Sequence, residues 1–161
     1  MCVSRENAQA LAKRQQAVAL ELTFMWPGDD AGAVLGGFTA TGSMVDAGVV
    51  RGDFRAARVV GGGRRAVKAT LVLDGRHGGL TLQMLGSFGA AADGSARGSG
   101  HWVVAAANGL HAGLAGGGTW GGLENSRPSL AGIGPAVARA TCIGSLRRRT
   151  APNDATRGGE K

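Results

Sequence analysis

Histidines and aspartates are the residues of this chain best suited to acid–base or metal chemistry. The histidines are His77, His101 and His111, separated by 24 and 10 positions. These spacings match no common zinc-ligand pattern, and a metal site would require the three side chains to converge. If residues around 101 form a strand, successive side chains face opposite sides, so either His101 or Trp102 faces the interior of the fold, and we favour Trp102. We therefore predict histidines on the surface or rim, with no metal and no cofactor.

The aspartates are predicted to cap turns. Asp46, Asp53, Asp74 and Asp93 mostly lie where turns are expected. A catalytic carboxylate needs burial or a partner that shifts its pKa, and the sequence indicates neither. The catalytic residues, if any exist, are therefore unknown at this stage.

Three common catalytic or nucleotide-binding motifs are not supported. No serine has the flanking glycines of a nucleophile elbow, and neither Lys13 nor Lys68 belongs to a phosphate-binding loop. Residues 116–121 match Gly-x-Gly-x-x-Gly but precede no evident helix and have no acidic partner about 20 positions later. A tight turn between strands explains these glycines better.

Basic residues give the chain a formal net charge of +7. They cluster at Arg51, Arg55, Arg58, Arg64 and Arg65, and again at 147–149. Only Phe54 lies among them to stack on bases, so a solvated basic face is favoured over a nucleic-acid site. The densely basic tail predicts weak, non-specific contact with polyanions.

The cysteines and the termini predict a cytoplasmic protein. Cys2 and Cys142 lie near opposite ends, outside the predicted core, without metal or redox spacing. They either form a disulfide joining the two tails or stay free, and free thiols are favoured. No signal-peptide pattern and no apolar run long enough to span a membrane occurs. The sequence allows a homo-oligomer.

Two terminal segments are predicted to flank a central domain. Residues 4–22 are rich in strong helix formers, with Ser4 as the N-cap, and predict a helix within an extension covering 1–33. Residues 121–161 contain several prolines and polar runs and predict a largely disordered basic tail. Within it, 136–146 either form a short helix, with Pro135 at its start, or stay unfolded.

The central domain, residues 34–120, is predicted to be all-β. In 66–74, Val67, Leu71 and Leu73 share one face while Lys68 and Asp74 share the other, which is typical of antiparallel sheets. Closure of the sheet covers its apolar face and removes its edges, so a small closed antiparallel barrel is favoured over a sandwich. The eight candidate strands are 36–45, 47–51, 55–60, 66–74, 79–88, 100–107, 109–114 and 117–120.

Four stretches of this domain, 38–48, 70–75, 98–104 and 108–120, resemble bacterial members of the allene oxide cyclase and dirigent-like barrel superfamily in their glycine and turn positions. The resemblance implies an eight-stranded calycin-like barrel with an interior cavity. In some relatives that cavity directs the cyclisation or coupling of a small hydrophobic molecule. The plant cyclases have a cavity glutamate, whereas residues 34–120 contain no glutamate. The resemblance therefore implies the fold and not the chemistry.

Two functions follow from this architecture. The first is a barrel that binds a small hydrophobic ligand and, if it is an enzyme, isomerises or cyclises a flexible substrate by holding it near its reactive geometry. The residues expected to line the cavity are Phe38, Met44, Leu82, Met84 and Trp102. The alternative is a non-enzymatic structural or interaction module with a filled barrel.

Overall fold

A computed structural model describes residues 16–26, 31–56, 64–90, 96–125 and 136–149 as eight strands and one short 3-10 helix. The elements are β1 (Gln16–Trp26), β2 (Ala31–Gly42), β3 (Asp46–Ala56), β4 (Arg65–Gly75), β5 (Gly79–Ala90), β6 (Ala96–Ala107), the 3-10 helix (Gly109–His111), β7 (Leu114–Asn125) and β8 (Ala136–Arg148).

The strands form a closed up-and-down barrel. Each strand pairs antiparallel with the next, and β8 returns to pair with β1 in a register that places Leu20 opposite Cys142. Closure leaves neither β1 nor β8 as an open edge with unpaired backbone groups. The prediction of an all-β fold with a closed, antiparallel, eight-stranded barrel is confirmed.

Alternation of apolar and polar residues determines which face of each strand is buried. In β4, Val67, Leu71 and Leu73 are buried and Lys68 and Asp74 are exposed. The same two-residue period brings apolar side chains from the other strands into the interior. An eight-stranded barrel is just wide enough for such side chains to fill it.

Two tryptophans occupy a large part of this interior. Trp102 is 1% exposed and Trp120 is 3% exposed, which confirms the expected inward orientation of Trp102. The indole N–H of Trp102 donates to the carbonyl oxygen of Thr119, and that of Trp120 donates to the carbonyl oxygen of Leu85, each at 3.1 Å. The Phe88 ring packs against Trp120 with a centroid distance of 5.5 Å. Both indoles are thus buried with their polar atom satisfied.

The helix prediction for residues 4–22 is wrong where the structure describes them. Residues 16–22 belong to β1, and residues 4–15 lie outside the described ranges. Leu20 and Leu22 are buried while Glu21 is exposed, so the two-residue period prevails over the helix propensity of the individual residues. Among the described residues, no helix has the length and apolar character needed to cross a membrane.

The prediction for the C-terminal segment is wrong over residues 136–148. This stretch is neither helical nor unfolded but forms β8, paired with both β7 and β1. Ala138 and Ala140 are buried and Arg139 is exposed between them. The alanines suggested a helix, but small inward-facing side chains also suit a strand in a narrow barrel. Residues 150–161 lie outside the described ranges.

The barrel extends beyond the predicted range of 34–120, since β1 and β8 lie on either side of it. Two candidate strands, 47–51 and 55–60, belong to one strand, β3, as far as residue 56, and 57–60 are outside the described ranges. The candidate strand 109–114 is largely a 3-10 helix and a turn. The barrel has the expected eight strands, but six of them, β2 to β7, account for the predicted range, and candidates such as 66–74 and 79–88 do lie in strands.

Cys142 lies in the core and not in a tail outside it. Its side chain is buried on the inner face of β8, and it is a free thiol. Burial, together with the negative charge of Glu21, raises the pKa of the Cys142 thiol to about 12. The thiol is therefore protonated and unreactive at neutral pH. Cys2 lies outside the described ranges.

Candidate functional site

One end of the barrel brings together ionisable residues from distant parts of the sequence. Connections 43–45, 76–78 and 108–113 lie there with the start of β1 and the end of β8, and we call this the short-turn end. Asp46, the first residue of β3, has a side chain that is 0% exposed at this end. A fully buried carboxylate requires several hydrogen-bond donors around it.

Four N–H groups surround the Asp46 carboxylate. Oδ1 accepts from the backbone N–H of Ala47 at 2.8 Å and of Arg76 at 2.9 Å. Oδ2 accepts from the backbone N–H of His77 at 3.2 Å and lies 2.7 Å from Nε2 of His111. A Cβ at Gly75 would lie 2.6 Å from Cγ of Asp46, so the glycine leaves the space that the carboxylate occupies.

Hydrogen bonding determines the charge of Asp46. Burial alone would raise the pKa of its carboxyl, but the hydrogen bonds from His111, Ala47, His77 and Arg76 outweigh it. The pKa of Asp46 therefore lies well below its ordinary value, and the group is an ionised, acceptor-only carboxylate at neutral pH.

Hydrogen bonds on both sides of His111 hold the backbone that carries it. The guanidinium of Arg148 donates to the carbonyl oxygens of Ala112 and Leu110 at 3.0 and 3.1 Å. On the other side, the backbone N–H of Leu110 donates to the carbonyl oxygen of His77 at 2.8 Å. The His111 side chain is 10% exposed. The imidazole thus contacts a buried carboxylate yet keeps some access to solvent.

His77 belongs to the same cluster but is more open. Its Nδ1 lies 3.4 Å from Oδ1 of Asp46, and its side chain is 53% exposed. Across the described ranges, no three His, Cys, Asp or Glu side chains converge in a way that would hold a metal ion. Asp46 thus joins both histidines in one polar cluster, through the backbone N–H of His77 and the imidazole of His111.

A pocket of about 690 Å³ opens beside this cluster, and we call it the end pocket. Its lining includes the buried residues Met44, Leu146 and His111 together with the exposed residues Arg147 and Arg148. The other residues that line it are Gln16, Ser43, Val45, His77, Leu110 and Leu114. Pockets for small molecules commonly have volumes of roughly 300–1,000 Å³ and mostly apolar walls.

The five residues expected to bind a ligand separate into two groups. Met44 lines the end pocket. Phe38, Leu82, Met84 and Trp102 are buried in the hydrophobic cluster inside the barrel, at 5%, 0%, 4% and 1% exposure. Their assignment as ligand-binding residues stays a prediction.

Several other sequence candidates that the structure describes do not line the end pocket. His101 is exposed on the outer face of β6, beside a shallow depression of about 510 Å³ that Ile143 also lines. Asp74 pairs with Arg51 at 3.2 Å on the surface, and Arg64 donates to Ser87 Oγ. Asp93 and Arg58 lie outside the described ranges.

Sequence reasoning missed the pairing of Asp46 with His111, which are 65 positions apart. Asp46 was assigned to a turn, and it does accept a backbone N–H from the adjacent Ala47. The sequence contains no signal for the approach of His111, because that contact depends on barrel closure and on the shape of connection 108–113. Only the presence of an Asp and a His at two connections of one barrel end could have suggested it.

Comparison of the chain with protein-family models, with curated proteins and with solved structures finds no match. The resemblance to the allene oxide cyclase and dirigent-like superfamily therefore stays a prediction.

Proposed function

We propose that the protein binds small molecules in its end pocket, and that the ligand is an apolar molecule with an anionic head group. Met44 and Leu146 supply a buried apolar surface, while Arg147 and Arg148 line the same pocket with two cationic side chains. The proposal is supported by this presence of buried apolar side chains and cationic side chains in one pocket. A hydrophobic body would contact the inner wall, and a carboxylate or similar group would face the arginines.

The two arginines have different roles in this proposal. Arg148 is already bound to the carbonyl oxygens of Leu110 and Ala112 and so maintains the shape of the pocket. Within the described ranges, no hydrogen bond or ion pair engages the Arg147 side chain, which is exposed. Arg147 is therefore the better candidate to bind the anionic group.

The proposal is tested by titration with 8-anilinonaphthalene-1-sulfonate, an apolar anion with environment-sensitive fluorescence, and by its displacement with decanoate. Arg147→Gln should weaken binding by about 1 kcal/mol, or roughly fivefold, because one charge-assisted contact is lost. Added salt should weaken binding to the wild type more than to the variant.

Arg139→Gln is the matched control, since Arg139 is exposed on the same strand, eight residues before Arg147. This substitution should leave the affinity unchanged. The absence of binding at millimolar decanoate would refute the proposal, as would equal affinities for the wild type and both variants.

A second function, a non-enzymatic structural or interaction module, is favoured by the packed interior. Leu20, Leu82 and Cys142 are 0% exposed, and both indoles are hydrogen bonded within the barrel. Under this proposal the end pocket would bind no small molecule. The decanoate titration therefore distinguishes the two functions.

A further inference from the structure

The first step concerns the protonation of His111. The Asp46 carboxylate only accepts hydrogen bonds, so its 2.7 Å contact with Nε2 of His111 requires a proton on Nε2. In the neutral imidazole, Nδ1 then holds the free lone pair. A carboxylate that fixes an imidazole in this way is the positioning part of the acid–base pairs found in hydrolases.

The second step concerns the position of Nδ1. In the described part of the chain, Nδ1 of His111 makes no hydrogen bond. Every fully buried side-chain nitrogen or oxygen there has a hydrogen-bond partner. Nδ1 is therefore not fully buried. His111 lines the end pocket and its side chain is 10% exposed, so a ligand bound there lies next to the imidazole that carries this lone pair.

The third step concerns the type of reaction. Among the described residues, Ser43 is the only one with a hydroxyl group that lines the end pocket, and its Oγ donates to the carbonyl oxygen of Gln16 at 3.2 Å and not to His111. This arrangement lacks the nucleophile–base hydrogen bond of a covalent mechanism. The end pocket therefore offers a positioned imidazole base, apolar side chains and two arginine side chains.

We infer that His111 is a general base that removes a proton from a carbon acid, an apolar carbonyl compound, bound in the end pocket, with Asp46 as its positioning residue. This inference rests on the proposed function. The C–H bond breaks, the proton moves to Nδ1, and the electron pair moves to the carbonyl oxygen as an enolate, near the positive charge of Arg147. Where the substrate is a β,γ-unsaturated carbonyl compound, this enolate is a conjugated dienolate, and the proton returns to its γ-carbon as the double bond moves next to the carbonyl. The product is an isomer, so the reaction needs no oxidant and no co-reactant.

Elimination of 5-nitrobenzisoxazole tests this inference, because the probe is apolar and reports a positioned base directly. The base removes the ring C–H proton, and the C–H electron pair completes a nitrile. The N–O bond breaks, and the electron pair of that bond becomes the phenolate charge of the coloured product. His111→Gln keeps an N–H that can donate to Asp46 but provides no base. We expect it to lower kcat by roughly 100-fold or more, with little change in KM.

Two further variants separate catalysis from folding. His111→Ala should also be inactive, and free imidazole added to it should restore turnover, which a purely structural role would not produce. His101→Gln alters an exposed histidine on the outer face of β6 and should retain wild-type turnover. Decanoate should inhibit the wild type competitively.

The outcomes distinguish this inference from the proposed function. Decanoate binding without turnover above that of buffer, or with equal turnover by the wild type and His111→Gln, would overturn the general base and leave the binding site intact. A failure of both decanoate binding and turnover would overturn both. Turnover that His111→Gln abolishes and imidazole restores in His111→Ala would support the inference.

Discussion

At the scale of single residues, Asp46 connects the parts of the short-turn end. Its carboxylate accepts from backbone N–H groups of Ala47, Arg76 and His77 and contacts the His111 imidazole, so one side chain at the start of β3 links two connections, 76–78 and 108–113. A buried carboxylate with this many donors stabilises the fold only while it is ionised and every donor is present. The residue that positions the proposed base is thus also a structural residue.

Asp46→Asn should destabilise the protein by about 2–4 kcal/mol at pH 7, because one acceptor oxygen becomes an N–H donor facing other donors. The pKa of Asp46 is lowered in the folded state, so its stabilisation is present above about pH 4 and is lost as the pH falls further. Urea titrations between pH 7 and pH 3 measure the free energy of unfolding. The difference in this free energy between the wild type and the variant should become smaller as the pH falls.

Asp53→Asn is the control for this measurement, since Asp53 is exposed on β3. It should change the free energy of unfolding by less than about 0.5 kcal/mol at pH 7. Equal effects of the two substitutions would show that the hydrogen bonds of Asp46 do not stabilise the fold.

Individual residues were predictable from sequence where local alternation decides their orientation. Alternation places either His101 or Trp102 inside, the prediction favours Trp102, and the structure has Trp102 buried and His101 exposed. The burial of Asp46 was not predictable, because it depends on donors supplied by residues 76, 77 and 111. Contacts between residues so far apart in the sequence produce no pattern in the spacing of neighbouring residues.

At the scale of elements, glycines within the strands make room for the indole rings. A Cβ at Gly86 on β5 would lie 2.6 Å from Cζ2 of Trp120, and one at Gly100 on β6 would lie 2.7 Å from its Nε1. The glycines of 116–121 are predicted to form a tight turn, but they lie within β7, just as Gly86 and Gly100 lie within strands. Large side chains on β7 are thus matched by the absence of side chains on β5 and β6.

Gly100→Ala should therefore destabilise the barrel by about 1–3 kcal/mol, because the added methyl group overlaps the ring and the backbone carbonyl of Leu85. Gly121→Ala on β7 is the matched control, since a Cβ there meets nothing within 4 Å. The control should be neutral or slightly stabilising, because alanine is less costly to order than glycine. Thermal unfolding of the two variants measures the difference, and equal melting temperatures would contradict this packing.

Strand prediction succeeded or failed according to the strength of alternation. The stretch 66–74 lies within β4, where apolar and polar residues alternate clearly. The stretches 16–22 and 136–146 are rich in alanine and other helix formers, so propensity pointed to helix although both form strands. In these two elements the pairing partners decide the conformation, and those partners come from opposite ends of the chain.

At the scale of the whole molecule, the pairing of the first and last strands completes the barrel. Eleven register pairs join β1 to β8, from Gln16 opposite Leu146 to Trp26 opposite Ala136. The sequence predicted closure from a general argument, that an open sheet would expose its edges and its apolar face. It could not identify the strands that close the barrel, because the contacts span nearly the whole described chain.

Removal of β8 should therefore abolish cooperative folding. A chain ending at residue 135 leaves β1 and β7 as open edges and exposes inner-face residues such as Leu20 and Trp120. A chain ending at Thr150 keeps all of β8, and we expect it to melt within a few degrees of the full-length protein. Circular dichroism on heating, with size-exclusion chromatography, compares the three chains. A sharp, wild-type-like transition for the chain ending at residue 135 would show that β8 is dispensable for the fold, since strands β1–β7 would then fold without the strand that closes the barrel.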